Sequence, residues 1–123
     1  MSKTSQHVII YHNPTCSKSR ETLALLESQG IEAEQIRYLD TPPTIAELKT
    51  LLSKLGMHSA RELMRTKEDC YQALQLDNPD LSEAALLTAM QANPILIERP
   101  IVVTEQSARI GRPPESVLDI LST

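Results

Sequence analysis

Val8-Ile9-Ile10-Tyr11 is a short apolar run, and His12-Asn13-Pro14-Thr15 breaks it at once. A helical stretch then runs from Cys16 or Ser17 to about Gln29, with Leu23, Leu25 and Leu26 on its apolar face. Gly30 is its natural stop, because glycine takes the left-handed cap conformation without steric cost. Ile36 to Leu39 reads as a second strand. Two strands joined through one helix connect by a right-handed parallel crossover, which commits the chain to an α/β fold.

Pro42-Pro43 interrupts this pattern. Thr44-Ile45-Ala46-Glu47 fits a capping box, and Ile45, Leu48, Leu51, Leu52 and Leu55 recur at helical spacing until Gly56. Ser59-Ala60-Arg61-Glu62 is a second capping box, opening a short helix through about Arg65. A further helix follows Leu81-Ser82 and ends near Asn93-Pro94. Ile101 to Thr104 is strand-like, Glu105-Gln106-Ser107 turns, and Ala108 to Ile110 returns antiparallel. Pro114 opens a final helix carrying Val117, Leu118 and Leu121. The outline is βαβ, a helical insertion at about 43–97, then ββα. At 123 residues the chain reads as one domain, 1–123.

Composition narrows function. The only aromatic residues are Tyr11, Tyr38 and Tyr71, so the core must be aliphatic and base stacking is disfavoured. A net charge of −4 argues against a phosphate-backbone binder, so no nucleic acid is expected. No apolar run approaches the ~20 residues that span a bilayer. Met1 to His7 is polar and lacks a signal-peptide core. Two cysteines, Cys16 and Cys70, then point to free thiols in a reducing cytoplasm. His7, His12 and His58 show no ligand spacing with them, so no metal is expected.

The chemistry concentrates in Tyr11-His12-Asn13-Pro14-Thr15-Cys16-Ser17-Lys18-Ser19-Arg20, which places a thiol at a strand–helix junction. The first turn of a helix carries unpaired N–H groups and partial positive charge, which favour thiolate and can hold an oxyanion beside it. Lys18 and Arg20 add positive charge, and so does His12 if protonated. The same spacing also fits Cys16 as a small buried residue at a corner, His12 as a turn residue, Ser19 as a cap and Lys18 as solvated. Serine at position 19 stands where a dithiol motif has its second cysteine, so an external thiol must resolve any adduct on Cys16.

The segments Tyr11–Arg20, Tyr38-Leu39-Asp40-Thr41-Pro42-Pro43, Glu98-Arg99-Pro100-Ile101-Val102-Val103 and Gly111-Arg112-Pro113-Pro114 together resemble the glutaredoxin-dependent arsenate reductase family, in an arsenate-reductase-like subgroup. The resemblance runs from about Val8 to Leu121. It implies a thioredoxin-like four-stranded mixed sheet with flanking helices, and a cis Arg99–Pro100 peptide bond facing the thiol. It implies Cys16 as the catalytic cysteine, His12 tuning the thiol and Ser19 near the sulfur. It implies Arg65, Arg99 and Arg112 as the arginines that bind a small oxyanion, since forked guanidinium groups match a tetrahedral dianion. Arg65 could instead pair with Glu62, and Arg61 is an equally placed competitor. The resemblance further implies glutathione as co-substrate, glutaredoxin as partner, no tightly bound cofactor and a monomer. Cys70 matches no family cysteine and reads as structural or adventitious, and Ser17 stands where many members carry glycine. Two other readings fit the same chain. One is a glutathione- or glutaredoxin-linked thiol-disulfide reductase of another substrate. The other is a Spx-like RNA polymerase-binding regulator, against which the Cys16-Ser17-Lys18-Ser19 segment counts because it lacks a two-cysteine switch.

Overall fold

The computed structural model of the chain describes residues 7–121. The chain resolves into two compact units, Met1–Tyr38 with Arg99–Thr123, and Leu39–Glu98.

The first unit is built on a mixed four-stranded sheet. Its strands are β1 (Ile9–Tyr11), β2 (Glu34–Ile36), β3 (Ile101–Val103) and β4 (Ala108–Ile110), in the order β2-β1-β3-β4. β1 pairs parallel to β2, while β3 is antiparallel to both β1 and β4. The two central strands are the continuous apolar runs, as burial on both faces requires. Helix α1 (Ser17–Ser28) and a 3₁₀ segment, Pro114–Ile120, cover the sheet. Val8, Ile10, Leu26, Val102 and Val117 form the core beneath them. Gly30 follows α1 with φ +77°, as a helix stop of this type requires. The peptide bonds Arg99–Pro100 and Arg112–Pro113 are both cis.

Three expectations for this unit need correction. The second strand lies at Glu34–Ile36, not Ile36 to Leu39, fixed by Glu34 N–H to Val8 O and His12 N–H to Ile36 O, both 2.8 Å. It is an edge strand, so it does not need an apolar sequence, and the apolar pattern misplaced it; Leu39 is 40% exposed. The last segment is 3₁₀ rather than α. Three residues per turn put Pro114, Val117 and Ile120 on one side and turn Leu118 outward. The core is not purely aliphatic, since Tyr11 and Tyr38 are buried with it.

The second unit is helical: α2 (Ile45–Leu55), α3 (Asp69–Ala73) and α4 (Glu83–Ala92), with 3₁₀ segments at Ala60–Leu63 and Pro94–Leu96. Both capping boxes form, Thr44 with Glu47 and Ser59 with Glu62, and Gly56 closes α2 at φ +74°. The segment after Ser59 stops at Leu63, short of the expected Arg65. The backbone there turns to strand-like pairing, with Met64 opposite Ile97, Arg65 N–H on Leu96 O and Glu98 N–H on Leu63 O. Among the described residues no helix is long and apolar enough to cross a membrane.

Candidate active site

Cys16 is the N-cap of α1, with extended backbone at φ −95° and ψ 124°. An N-cap side chain ordinarily supplies an oxygen to the N–H groups of the first turn. Here a sulfur occupies that place. It completes no cap hydrogen bond of standard geometry, yet the N–H groups of Ser19 and Lys18 still act on it. Burial pushes the thiol pKa up. The Ser19 N–H, the Arg99 guanidinium, the Lys18 N–H and the Arg112 guanidinium outweigh it and hold the thiol below its ordinary value. Lys18 therefore acts through its backbone, while its ammonium lies 3.7 Å from Glu21.

The hairpin brings the two arginines to the sulfur. Arg99 precedes β3 and Arg112 follows β4, and the register Ile101↔Ile110 sets the two ends side by side. Gly111 N–H donates to Pro100 O at 2.9 Å and continues the ladder. Arg112 Nε donates to Arg99 O at 2.8 Å, and its Nη2 reaches Cys16 Sγ at 3.7 Å. The Nε and Nη1 atoms of Arg99 are buried. One arginine thus spans the hairpin end and the thiol in a single side chain, which needs a fork rather than a point charge.

Gly111 makes that approach possible, and sequence reasoning missed its role. A Cβ there would run into Thr22 Oγ1 of α1 and lie 2.9 Å from Pro100 Cγ. Glycine followed by Arg-Pro was the signal, but only the close approach of helix and hairpin gives it meaning.

His12 and Ser19 are buried together. His12 Nδ1 lies 2.6 Å from Ser19 Oγ, which also accepts from Asn13 N–H at 3.0 Å. Burial, then the charges of Arg37 and Arg20, lower the His12 pKa. His12 is therefore neutral near pH 7 and does not add the positive charge that a protonated ring would. Its ring nitrogen contacts the hydroxyl of Ser19, the residue whose backbone N–H helps lower the Cys16 pKa.

Arg65 belongs to the second unit. Its Nη1 pairs with Glu68 at 2.5 Å and its Nε lies 3.8 Å from Glu98, so Glu62 is not its partner. Arg61 is engaged by carbonyls, with Nε and Nη2 on Leu76 O and Nη2 on Asn78 O. Those bonds hold the turn containing Gln75, at φ 55°. Cys70 lies in α3, half-buried, and is a free thiol like Cys16.

Residues 11–120 match the profile of the ArsC family. The chain belongs to the ArsC family. It is 60% identical over 95% of its length to the uncharacterized protein YfgD of Escherichia coli K12, covering 98% of that protein. It is 54% identical over 91% of its length to an arsenate reductase of Neisseria meningitidis, covering 96% of that protein. Among solved structures it is similar to an arsenate reductase from Vibrio cholerae, with a TM-score of 0.94 and 56% identity, covering 96% of this chain and 100% of that one. The mixed sheet is accordingly the thioredoxin-like arrangement of this ArsC chain and its structural relatives.

Proposed function

We propose that the chain is an arsenate reductase in which Cys16 is the nucleophile. The observation that carries this reading is Arg112, which joins Arg99 O to the Cys16 sulfur through two nitrogens of one guanidinium. A thiolate with forked cations beside it suits a tetrahedral oxyanion better than a neutral disulfide. The Cys16 thiolate attacks arsenic(V) and displaces hydroxide or water. Glutathione then attacks the adduct, glutaredoxin removes the glutathionyl group, and arsenite leaves. In sum, arsenate and two thiols give arsenite, one disulfide and water, so two electrons pass from sulfur to arsenic. Arg99 and Arg112 hold the oxyanion and stabilise charge developing on its oxygens. Arg65 is assigned to the same anion by the family resemblance. His12 and Ser19 orient the first turn around the sulfur. The dependence on glutathione and glutaredoxin fits a monomer working in a reducing cytoplasm with no bound cofactor.

The test is arsenate reduction coupled to glutathione, glutaredoxin and NADPH. The parent protein should turn over only with both thiol components present, and Cys16→Ser should be inactive. Turnover by Cys16→Ser would reject Cys16 as the nucleophile.

A further inference from the structure

The chain enters α1 through a tight turn whose central residues are Pro14 and Thr15, closed by Cys16 N–H on Asn13 O at 3.0 Å. A flip of the central peptide group separates type I from type II turns, and the flip would put the β-branched Thr15 at positive φ, so the side chains described next add to a type I orientation that Thr15 already favours. Here both ends of that one peptide are held. Its carbonyl, Pro14 O, accepts from Arg20 Nη1 at 3.0 Å. Its N–H, on Thr15, donates to Asn13 Oδ1 at 3.0 Å, and the Thr15 hydroxyl donates to the same oxygen at 2.8 Å. Pro14 and Thr15 are exposed, so water could satisfy the peptide in either orientation. Arg20 lies one turn into α1, and helix geometry leans its side chain back toward the N-terminus and the loop. A cation gains nothing from the dipole at that end of a helix, and α1 has no acidic residue in its first turn. The arginine is therefore not there to stabilise the helix end.

We propose that Asn13 and Arg20 are positioning residues for Cys16, gripping the two ends of the Pro14–Thr15 peptide and fixing the turn that delivers the thiol to the N-cap. Neither side chain bonds to the sulfur. They act through the backbone, by keeping the Cys16 side chain over the N–H groups of Lys18 and Ser19. The inference rests on the reading of Cys16 as the nucleophile and deepens it.

The experiment is mass-mapped iodoacetamide alkylation of Cys16 against pH, with Cys70 as internal reference and thermal melts alongside. Asn13→Ala removes one grip with no change of charge. Arg20→Gln removes the other grip and a charge, and Arg20→Lys keeps the charge and one donor. Asn13→Ala and Arg20→Gln should each slow Cys16 at pH 7 by about threefold or more and raise its titration midpoint, since a less favoured thiolate is scarcer there. Arg20→Lys should fall between them and the parent, and Cys70 should react alike in all. Parent rates and midpoints in both Asn13→Ala and Arg20→Gln, with Cys16 still outpacing Cys70, overturn the positioning role and leave the nucleophile standing. A loss in Arg20→Gln alone, fully restored by Arg20→Lys, reduces Arg20 to a charge and also overturns it. A parent protein in which Cys16 does not outpace Cys70 overturns the nucleophile and the proposal together. Should Asn13→Ala fail to fold, the two variants at exposed Arg20 decide.

Discussion

At the scale of single residues, the arginine beside the sulfur has two jobs at once. Arg112 Nε is spent on Arg99 O, and that bond aims Nη2 at Cys16. A lysine keeps the charge but has one donor nitrogen in place of the guanidinium's planar fork. A charge-assisted hydrogen bond is worth roughly 1.5–3 kcal/mol, so Arg112→Lys should lower kcat/KM for arsenate by about tenfold or more. Arg99→Lys should do likewise, because its guanidinium helps hold the thiol below its ordinary pKa. The melting temperature of Arg112→Lys should stay close to the parent's, since Arg112 is exposed and serves the site. Steady-state kinetics on both variants check this, and parent efficiency in both would make them ordinary surface charges. Gly111 is the complementary case, a residue whose lack of a side chain matters. Gly111→Ala pushes a methyl into Thr22 and Pro100. Overpacking of this kind costs about 1–3 kcal/mol, which urea titration would read as a lowered midpoint with an unchanged slope.

At the scale of elements, local chemistry was legible wherever it was self-sufficient. Both capping boxes, the glycine stops of α1 and α2, and the β3–β4 hairpin follow from residues adjacent in sequence. Two of the misses share one cause, a partner distant in sequence. β2 carries Glu34 and Gln35 because it is an edge strand, which its own residues cannot reveal. The segment after Ser59 ends at Leu63 because residues 96–98 claim its backbone. α3 is five residues long, too short to show a helical period. In the site, Cys16, Arg99 and Arg112 were legible from motif and topology. The neutral state of His12 was not, because it depends on burial and on the charges of Arg37 and Arg20. Within the helical unit, Glu83 ties α4 to the preceding segment, accepting from Ala60 N–H at 2.7 Å and from the Ser59 hydroxyl at 2.8 Å. Those bonds, led by Ala60 N–H, lower its carboxyl pKa. A depressed folded-state pKa stabilises the protein above the ordinary carboxyl value, and the effect is lost as pH falls through the folded value. The stability gap between parent and Glu83→Gln should accordingly be full at neutral pH and close on acidification. Denaturation across that range checks it, and a gap independent of pH would contradict it.

At the scale of the whole molecule, the proposed reaction uses Cys16 as its one reacting thiol and does not involve Cys70. Cys70→Ser should then turn over arsenate as the parent does, with the same need for glutathione. Full turnover on thioredoxin alone, abolished by Cys70→Ser, would make Cys70 the resolving thiol. We read the helix N-terminus and the two arginines beside Cys16 as what makes its thiol a thiolate. That reading is tested most directly by the pH dependence of alkylation, mapped by mass to each cysteine in the unmodified chain. Cys16 should react much faster than Cys70 at pH 7. Its rate should fall only as pH drops through a midpoint below that of a free thiol, because its folded pKa is lowered. A Cys16 midpoint at or above the free-thiol value, or a rate no greater than that of Cys70, would contradict the account.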